Sequence, residues 1–268
     1  NSETPSALQK IDKKKTVLNW QVSQLEGYVN KISFIGGYKY DLLTRKKKKL
    51  NFIHNKSWEK CDSVGSLLKN NFSTGRDLLV SYSDVVYRSN LINKLTKSKN
   101  DIVIGLDSNW FHRYEGRSKD DILKAELIVK RGENLYQIKF NKKEIFYEFT
   151  GIVKFSSNVV NFIIENKKEI NKNWSIPNLI IFLQKNKFKI DYEDCEGDWA
   201  ELNAPQDLAN FILGTKAETL LRLKKMIKNS VIFEQVSFTV EDWESKMTQC
   251  LNKIEGKFAD KKLIIRSS

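Results

Sequence analysis

The sequence predicts an α/β fold with a mostly parallel sheet, and two observations support it. Short apolar segments rich in β-branched and aromatic residues alternate with amphipathic segments in the order helix, strand, strand, helix, strand, helix, strand. Two of the apolar segments, residues 77–82 and 101–107, lead into an acidic residue, Asp84 and Asp107. Such alternation is typical of strands that are joined by helices in one sheet.

Each element follows from its local pattern. Strands are expected at 31–35, 50–53, 77–82, 101–107, 125–130, 135–140, 145–155, 188–190 and 199–202. Helices are expected at 16–25, 64–71, 89–97, 158–165, 177–185 and from Pro205 onward, with 85–87 leading into the third of them. The segments 125–130 and 135–140 form a predicted hairpin, and the acidic run 191–198 is interpreted as a solvated turn.

The pattern changes after Gly214. A basic helix at 217–227, a strand at 231–240, a helix at 241–254 and a strand at 262–265 are predicted there. A domain that ends on a buried strand lacks that strand's partners, so we interpret this part as the opening of a second domain. The predicted domains are therefore 1–213 and 214–268, the second a truncated α+β piece.

The chain is strongly basic, with 46 Lys and Arg against 33 Asp and Glu and a formal net charge of +13. Its sharpest cluster lies at 45–49. Nucleic-acid binding is one interpretation of this charge, but the lysines are scattered and do not interleave with aromatic side chains as stacking platforms do. A lysine-rich surface is favoured, and its positive field would attract nucleotide phosphates.

No apolar run approaches the ~20 residues of a membrane span, and no signal-peptide pattern is present. The three cysteines, Cys61, Cys195 and Cys250, are far apart and show neither metal-site spacing nor a disulfide framework. A reducing, cytoplasmic location is therefore the simplest expectation.

Asp84 is the first candidate for a metal ligand, because ligands of open α/β sheets bind beyond the carboxyl ends of the strands. The alternative is that Asp84 only caps the following segment. A second acid-bearing turn contains Glu201, Leu202 and Asn203. A divalent ion on a nucleoside triphosphate needs one or two protein oxygens besides the phosphates, and these two turns would supply them.

Several segments, in order, resemble the small-molecule nucleotidyltransferases with the sugar-nucleotide-transferase fold. SYSDVVYRSNL is similar to the metal-binding "GDVVF" stretch of this family, DWAELNAPQDL to its "EIDTPEDL" turn, and TPSALQKIDKKKTVLNWQVSQL to its "KPKPLLEVNGKPLLEWQI" segment. DSNWFHRYEGR, KAELIV and EFTGIVKFS resemble a subgroup related to phosphocholine cytidylyltransferases and phosphonate-linked enzymes. The resemblance runs from about Thr4 to Leu213 and implies a three-layer α/β domain of the GT-A-like type.

The resemblance implies roles for individual residues. Asp84 matches the family's first Mg²⁺ ligand, Asn203 stands at its second, and Glu201 is the reserve candidate. The residues matching acceptor-site positions are Tyr114, Glu115, Arg117, Glu126, Glu148, Gly151 and Lys154. The residues matching nucleotide-binding positions are Asn55, Ser63 and Ser83.

Two departures from the family bear on activity. The Gly-rich loop that cradles the triphosphate has no counterpart in the chain, which we interpret as beginning just after it. The family's catalytic Lys corresponds to Ser6, with Lys10 and Lys13 nearby but not at that position. This replacement implies a slow, altered or inactive site. Lys13 is retained as a candidate that could supply the missing charge.

The C-terminal segment carries a second resemblance. VIFEQVSFTVEDWESKMTQCLNKIEGKFADKKLIIRSS is similar to the opening of the ATP-grasp domain of pyruvate phosphate dikinase and phosphoenolpyruvate synthase. Arg266 matches the Arg of that domain that binds ATP phosphate. The resemblance implies that further ATP-grasp domains are covalently linked downstream.

Together these resemblances imply an Mg²⁺-dependent enzyme that transfers a nucleoside monophosphate from a triphosphate, CTP first, to a small phosphate- or phosphonate-bearing acceptor. One alternative is an inactive domain of the same fold that binds a ligand or docks onto a kinase-like partner. A nucleic-acid-binding module is the third class, and it rests on charge alone.

Overall fold

The structure is a computed structural model that describes residues 4–44, 50–114, 119–131, 134–137, 147–203, 205–214, 216–224, 227–238, 240–259 and 261–265. Three residues with predicted roles, Glu115, Arg117 and Arg266, lie outside the described residues. The chain divides into two compact units, residues 1–208 and 209–268. The assignment of 214–268 to an ATP-grasp domain stays a prediction.

The described helices are α1 Val17–Leu25, α2 Tyr40–Thr44, α3 Ser63–Leu67, α4 Ser89–Lys97, α5 Lys119–Lys124, α6 Ser157–Glu165, α7 Ile176–Lys185, α8 Pro205–Leu213, α9 Lys216–Lys224 and α10 Val240–Phe258. The described strands are β1 Ser33–Gly36, β2 Asn51–His54, β3 Leu78–Ser81, β4 Val85–Tyr87, β5 Ile102–Asp107, β6 Leu127–Arg131, β7 Asn134–Gln137, β8 Tyr147–Phe155, β9 Ile190–Asp194 and β10 Trp199–Glu201. Short 3-10 helices lie at Ser6–Leu8, Trp58–Lys60 and Trp110–Tyr114.

The largest sheet has the order β7-β6-β8-β5-β9, and β3 pairs with β8 beside β6. β5 and β9 are parallel, whereas β8 runs antiparallel to β3, β5 and β6. Strands β3, β5 and β9 therefore point in one direction, and their carboxyl ends lie at the same edge. Two smaller pairs, parallel β1–β2 and antiparallel β4–β10, are separate in the described residues. The predicted α/β class is confirmed, but the sheet is mixed rather than mostly parallel, because β8 runs antiparallel to β3, β5 and β6, and β7 runs antiparallel to β6.

The large sheet lies between two layers of helices because its strands are apolar on both faces. In β5, Ile102 and Ile104 pack into one core with α6 and α7, whereas Val103 between them packs into another with α4. This alternation is the two-residue period of a strand. All six β5 residues are buried, as expected for a central strand. Because helices cover both faces of the large sheet, the edge formed by the carboxyl ends of β3, β5 and β9 is the side that they leave uncovered.

Two sequence interpretations in the first unit need correction. The predicted helix after Val85–Tyr87 is present as α4, but Val85–Tyr87 itself forms a strand, β4, which pairs with β10. The acidic run does not remain a turn throughout, because Ile190–Asp194 forms β9 on the edge of the sheet. Polar side chains are tolerated there because an edge strand keeps one side open to water.

The second unit contains the end of α8, then α9, α10 and an irregular connection. The strands predicted at 231–240 and 262–265 do not form in the described residues of those segments. Val231, Phe233 and Ile265 are 79%, 82% and 94% exposed, so no neighbouring strand or helix covers them. An extended segment without partners gains neither ladder hydrogen bonds nor burial, and β propensity alone does not form a strand. No helix among the described residues is long and apolar enough to cross a membrane.

Candidate active site

The β4–β10 ladder brings together the two acid-bearing turns that the sequence singled out. Val85 pairs with Glu201, and the Leu202 N–H donates to the Asp84 carbonyl at 2.9 Å. Asp84 and the turn containing Asn203 are therefore neighbours, although they lie far apart in the sequence. The backbones of two turns from distant parts of the chain thus lie side by side where β3 ends.

The Asp84 carboxylate fits a cation ligand in its local environment. Burial raises the pKa of the Asp84 carboxyl, and its own backbone N–H opposes this shift. Within the described residues, that carboxylate accepts no hydrogen bond from another residue. A half-buried carboxylate without a partner is expected to gain from a bound cation. Asn203 is exposed in the facing turn, and its role as a metal ligand stays a prediction.

Helix α1 fixes the backbone on both sides of Asp84. The Gln21 side chain is buried and donates to the carbonyls of Tyr82 and Val85 at 2.8 Å each. These bonds bracket Ser83 and Asp84, so the turn is held where β3 ends and β4 begins. Thr16 caps the same helix by accepting from the Asn19 N–H at 3.3 Å.

A groove of about 1010 Å³ runs along β3 and is open to the Asp84 turn. We call it the central groove. Its two long walls are residues 28–35 and 77–84, and Ser83, Asp84 and Glu126 are among its lining residues. Its size is that of a pocket for a small-molecule ligand.

Tyr82 and Glu126 form a polar pair beside Asp84. The Tyr82 hydroxyl donates to Glu126 Oε2 at 2.9 Å. Burial raises the pKa of Glu126 to about 7; the Tyr82 bond opposes the shift, and the negative charges of Asp62 and Glu201 add to it. Glu126 therefore changes charge close to neutral pH. The carboxylates of Asp62 and Asp84 line the same groove.

Tyr114 and Glu148 form a second pair at the carboxyl edge. The Tyr114 hydroxyl donates to Glu148 Oε1 at 2.6 Å, and both residues are almost fully buried. Glu148 pairs in register with both Leu127 and Asp107. Of the residues predicted to bind the acceptor, Tyr114, Glu126 and Glu148 thus lie at one end of β8.

Lys154 lies at the opposite end of β8. It lies six positions from Glu148, which is roughly 20 Å along a strand. Its ammonium is buried and donates to the carbonyls of Ser98 and Asn100 at 3.0 Å each, with Asp77 at 3.5 Å. These contacts tie a loop to the sheet and give Lys154 a structural role. Lys154 also lines the central groove, and its role in acceptor binding stays a prediction.

Asn55 and Ser63, two residues predicted to bind the nucleotide, form hydrogen bonds with other residues of the chain. Asn55 is 1% exposed; its amide donates to the Ser66 hydroxyl at 3.0 Å and accepts from the Ser57 N–H at 3.0 Å. The Ser63 hydroxyl accepts from the Ile176 N–H at 3.1 Å and lines the central groove. Asn55 therefore braces its loop, whereas Ser63 and Ser83 border the groove.

Ser6 and Lys13 do not line the central groove. Ser6 begins a 3-10 helix, and Lys13 is exposed in a turn that Asp12 closes by accepting from two backbone N–H groups. The structure therefore leaves both catalytic assignments as predictions.

Another group at the carboxyl edge has metal-compatible side chains. Ligand atoms of Asp107, Asp194 and Cys195 lie within 4.8 Å of one another. Asp107 accepts from the Asn109 N–H at 3.0 Å and Asp194 from the Glu196 N–H at 3.1 Å. These bonds give the two carboxylates a role in the turns that follow β5 and β9.

Sequence reasoning missed the parts played by Gln21, Asp62 and Tyr82. Gln21 carries a signal, because it is a polar residue on the apolar face of a predicted amphipathic helix. Tyr82 looked like an ordinary strand aromatic, and only the fold shows that its hydroxyl reaches Glu126.

The fold defines a class of protein. The chain resembles the inositol-1-phosphate CTP transferase from T. maritima with a TM-score of 0.59 and 14% identity, over 85% of this chain and 90% of that one. It also resembles a putative glucose-1-phosphate thymidylyltransferase from Bacillus anthracis, with a TM-score of 0.54 and 16% identity over 86% and 89% of the two chains. The chain therefore has the fold of nucleotidyltransferases.

A sequence relative makes the class more specific. The chain is 26% identical over 221 residues to the CTP:phosphoglutamine cytidylyltransferase of Campylobacter jejuni, covering 73% of this chain and 87% of the relative. No protein-family model matches the chain. Fold and relative together support a transferase enzyme of the nucleotidyltransferase class.

Proposed function

We propose that this chain transfers a cytidylyl group from CTP to a small acceptor that carries a phosphate or phosphonate, with Mg²⁺ bound at Asp84. The observation that carries this proposal is the meeting of the Asp84 turn with the Glu201–Asn203 turn across the β4–β10 ladder. The cytidylyltransferase relative supports CTP as the donor, and its name makes phosphoglutamine one acceptor to test.

In the proposed reaction, an acceptor oxygen attacks the α-phosphorus of CTP. One P–O bond forms, the bond between the α-phosphorus and the bridging oxygen breaks, and pyrophosphate leaves with the electron pair. Bound Mg²⁺ supplies charge neutralisation at the phosphate oxygens. Asp84 would hold the ion, Asn203 or Glu201 would complete the protein's share of the ligands, and Ser83 would border the nucleotide.

The acidic residues of the groove set the conditions for phosphate binding. Glu126 and Glu201 bring negative charge close to the place proposed for the phosphates, and this charge alone would repel an anion. A divalent cation at Asp84 reverses the sign locally, and protonation of Glu126 removes one of the opposing charges. Acceptor binding should therefore depend on both metal and pH.

Calorimetric titration with CTP, with and without Mg²⁺, tests the proposal. Asp84→Asn keeps the size of the side chain and removes the charge, so Mg²⁺-dependent CTP affinity should fall at least about tenfold, or about 1.4 kcal/mol. Glu169→Gln, at an exposed position outside the groove, is the matched control for loss of a carboxylate. Equal affinity in Asp84→Asn and parent would remove Asp84 from the site.

A second candidate function is ligand binding or docking without turnover. The observation that favours it is Ser6, which stands where the resembling family has its catalytic Lys. Pyrophosphate release in the presence of CTP, Mg²⁺ and phosphocholine, aminoethylphosphonate or phosphoglutamine separates the two. Binding without release supports the second candidate, whereas release with one acceptor supports transfer.

A further inference from the structure

A second cavity, of about 290 Å³, lies across helix α3 from the central groove. Gly65, Leu68 and Lys69 line this cavity, whereas Ser66 and Leu67 line the central groove. Because residues three or four positions apart share one face of a helix, the two sets lie on opposite faces of α3. We call the second cavity the lysine pocket, after four residues that line it: Lys60, Lys69, Lys167 and Lys172.

The charged groups that line the lysine pocket are all positive. Its four lysines come from three separate parts of the first unit: the 3-10 helix Trp58–Lys60, the turn after α3, and the connection between α6 and α7. Within the described residues, none of the four ammonium groups forms an ion pair. The carboxylates closest in the sequence, Glu59, Asp62 and Glu169, do not line the pocket. A concave site with one sign of charge focuses its potential, which here attracts an anion.

Close backbone contacts hold the walls of the lysine pocket together. The Asp62 N–H donates to the Lys172 carbonyl at 3.1 Å. A Cβ at Gly65 would lie 2.4 Å from the same carbonyl oxygen and 2.5 Å from the Cys61 Cβ, so α3 packs more closely here than a larger residue would allow. Lys69 and Lys172 are therefore carried by segments whose backbones are fixed against each other. The pocket is formed before any ligand binds, and this lowers the cost of binding.

We propose that the lysine pocket binds the diphosphate group of a small molecule. Lysine ammonium groups bind phosphate oxygens as point charges, and four of them suit a multiply charged anion. The hydroxyl of Ser57, which also lines the pocket, can donate to a phosphate oxygen. A volume of about 290 Å³ is at the lower end of ligand pockets, which favours a compact ligand. Free pyrophosphate and the diphosphate of a nucleotide share this chemistry.

This site does not depend on the proposed reaction. Asp84 and Glu126 line the central groove, and neither lines the lysine pocket. Phosphates in the central groove are proposed to need a divalent cation, because the carboxylates there repel them. The lysine pocket already carries positive charge, so it needs no metal. Binding of pyrophosphate in metal-free buffer, retained in Asp84→Asn, therefore reports on the lysine pocket and not on the proposed active site.

Titration with pyrophosphate in metal-free buffer, followed by residue-resolved NMR, tests the assignment. The amide signals of Gly65 and Leu68 should shift and reach saturation, because both residues line the pocket. The double variant Lys69→Gln/Lys172→Gln removes two of the four charges and should weaken pyrophosphate binding at least about tenfold.

A second double variant serves as the matched control. Lys168→Gln/Lys185→Gln also removes two exposed lysines, but neither residue lines the pocket. Its affinity for pyrophosphate should stay within about twofold of the parent, since screening by salt weakens charges that are not in contact with the ligand.

Cys61 provides an independent measurement on the unmodified chain. Its side chain lines the lysine pocket and is half-buried, whereas Cys195 and Cys250 are buried. Alkylation of Cys61 by iodoacetamide should become slower as pyrophosphate fills the pocket. The pyrophosphate concentration that halves the rate should agree with the midpoint of the NMR titration.

A parallel titration with CDP identifies the source of the diphosphate. Equal affinity shows that the diphosphate group alone is recognised, and tighter binding of CDP assigns a nucleotide; both results support the proposal. Equal weakening in the two double variants, or shifts that do not saturate, would show only diffuse attraction to a basic surface and overturn it. A single-stranded oligonucleotide that displaces pyrophosphate at a lower phosphate concentration would assign this surface to nucleic acid and would also overturn it.

Discussion

Glu126→Gln should make the protein more stable at alkaline pH and leave it almost unchanged in acid. Glu126 lies in the central groove, where its pKa rises from 4.5 to about 7, mainly because burial disfavours the charged carboxylate. Gln has nearly the same shape and retains an oxygen that can accept from the Tyr82 hydroxyl, which now donates at 2.9 Å. The substitution therefore removes the ionisation and keeps the contact.

The sign follows from proton linkage. Between pH 4.5 and about 7 the folded state holds a proton on Glu126 that the unfolded state has released, so the free energy of unfolding falls as the pH rises. The cost is complete above pH 7, because both states are then ionised and the folded one must bury the charge. A shift of this size corresponds to an upper limit of about 3 kcal/mol, at 1.36 kcal/mol per pKa unit.

Urea unfolding of parent and variant at several pH values between 4 and 8.5 measures this difference. The two free energies of unfolding should agree near pH 4 and diverge up to about pH 7, with the variant higher. Glu169→Gln, at an exposed site, serves as the control and should follow the parent. If Glu126→Gln has the parent's pH dependence, the Glu126 carboxyl is not buried as a charged group and the reasoning fails.

Other predictions follow from contacts in the first unit. Lys154→Met should lower the free energy of unfolding by about 2–4 kcal/mol, because the Ser98 and Asn100 carbonyls lose their donor; urea denaturation measures this, and an unchanged midpoint contradicts it. Gly151→Ala should be destabilising by at least about 1–3 kcal/mol, because Gly151 has φ +72° and a Cβ there would lie 2.6 Å from the Tyr82 ring; wild-type stability would place Tyr82 elsewhere. Ser6→Lys should raise the rate of pyrophosphate release by ~10²–10³, the value of one electrostatic contact to the transition state. Equal rates in a coupled pyrophosphate assay would show that Ser6 is no handicap.

The sequence predicted the meeting of Asp84 with Glu201 and Asn203 because both turns follow recognisable strands and resemble family motifs. It did not predict β4, since a three-residue apolar segment carries no period that separates strand from helix. The ladder between β4 and β10 is a long-range pairing, and such pairings decide local conformation over propensity.

Lys154 shows a different limit of sequence reasoning. Its place on β8 was correct, but a strand carries side chains along its whole length, and Lys154 lies six positions from Glu148. Pairing of Lys154 with Leu79 and Val103, and of Glu148 with Asp107, decides which end faces which neighbours. The pairing register of a strand depends on packing against its neighbours, so it cannot be predicted from the sequence of one segment alone.

The hydrogen bond between Leu202 and Asp84 joins positions 118 apart in the sequence. At a synthesis rate of about 5–20 residues per second, Asp84 leaves the ribosome roughly 6–24 s before its partner turn exists. During that interval the nascent chain contains Asp84 but not yet the turn with Asn203, the other half of the proposed metal site. A polypeptide that stops before Trp199 would lack β10 and hence the second half altogether. Mg²⁺-dependent nucleotide binding would then report completion of the first unit, in the way that an antibody against a discontinuous epitope reports a finished fold.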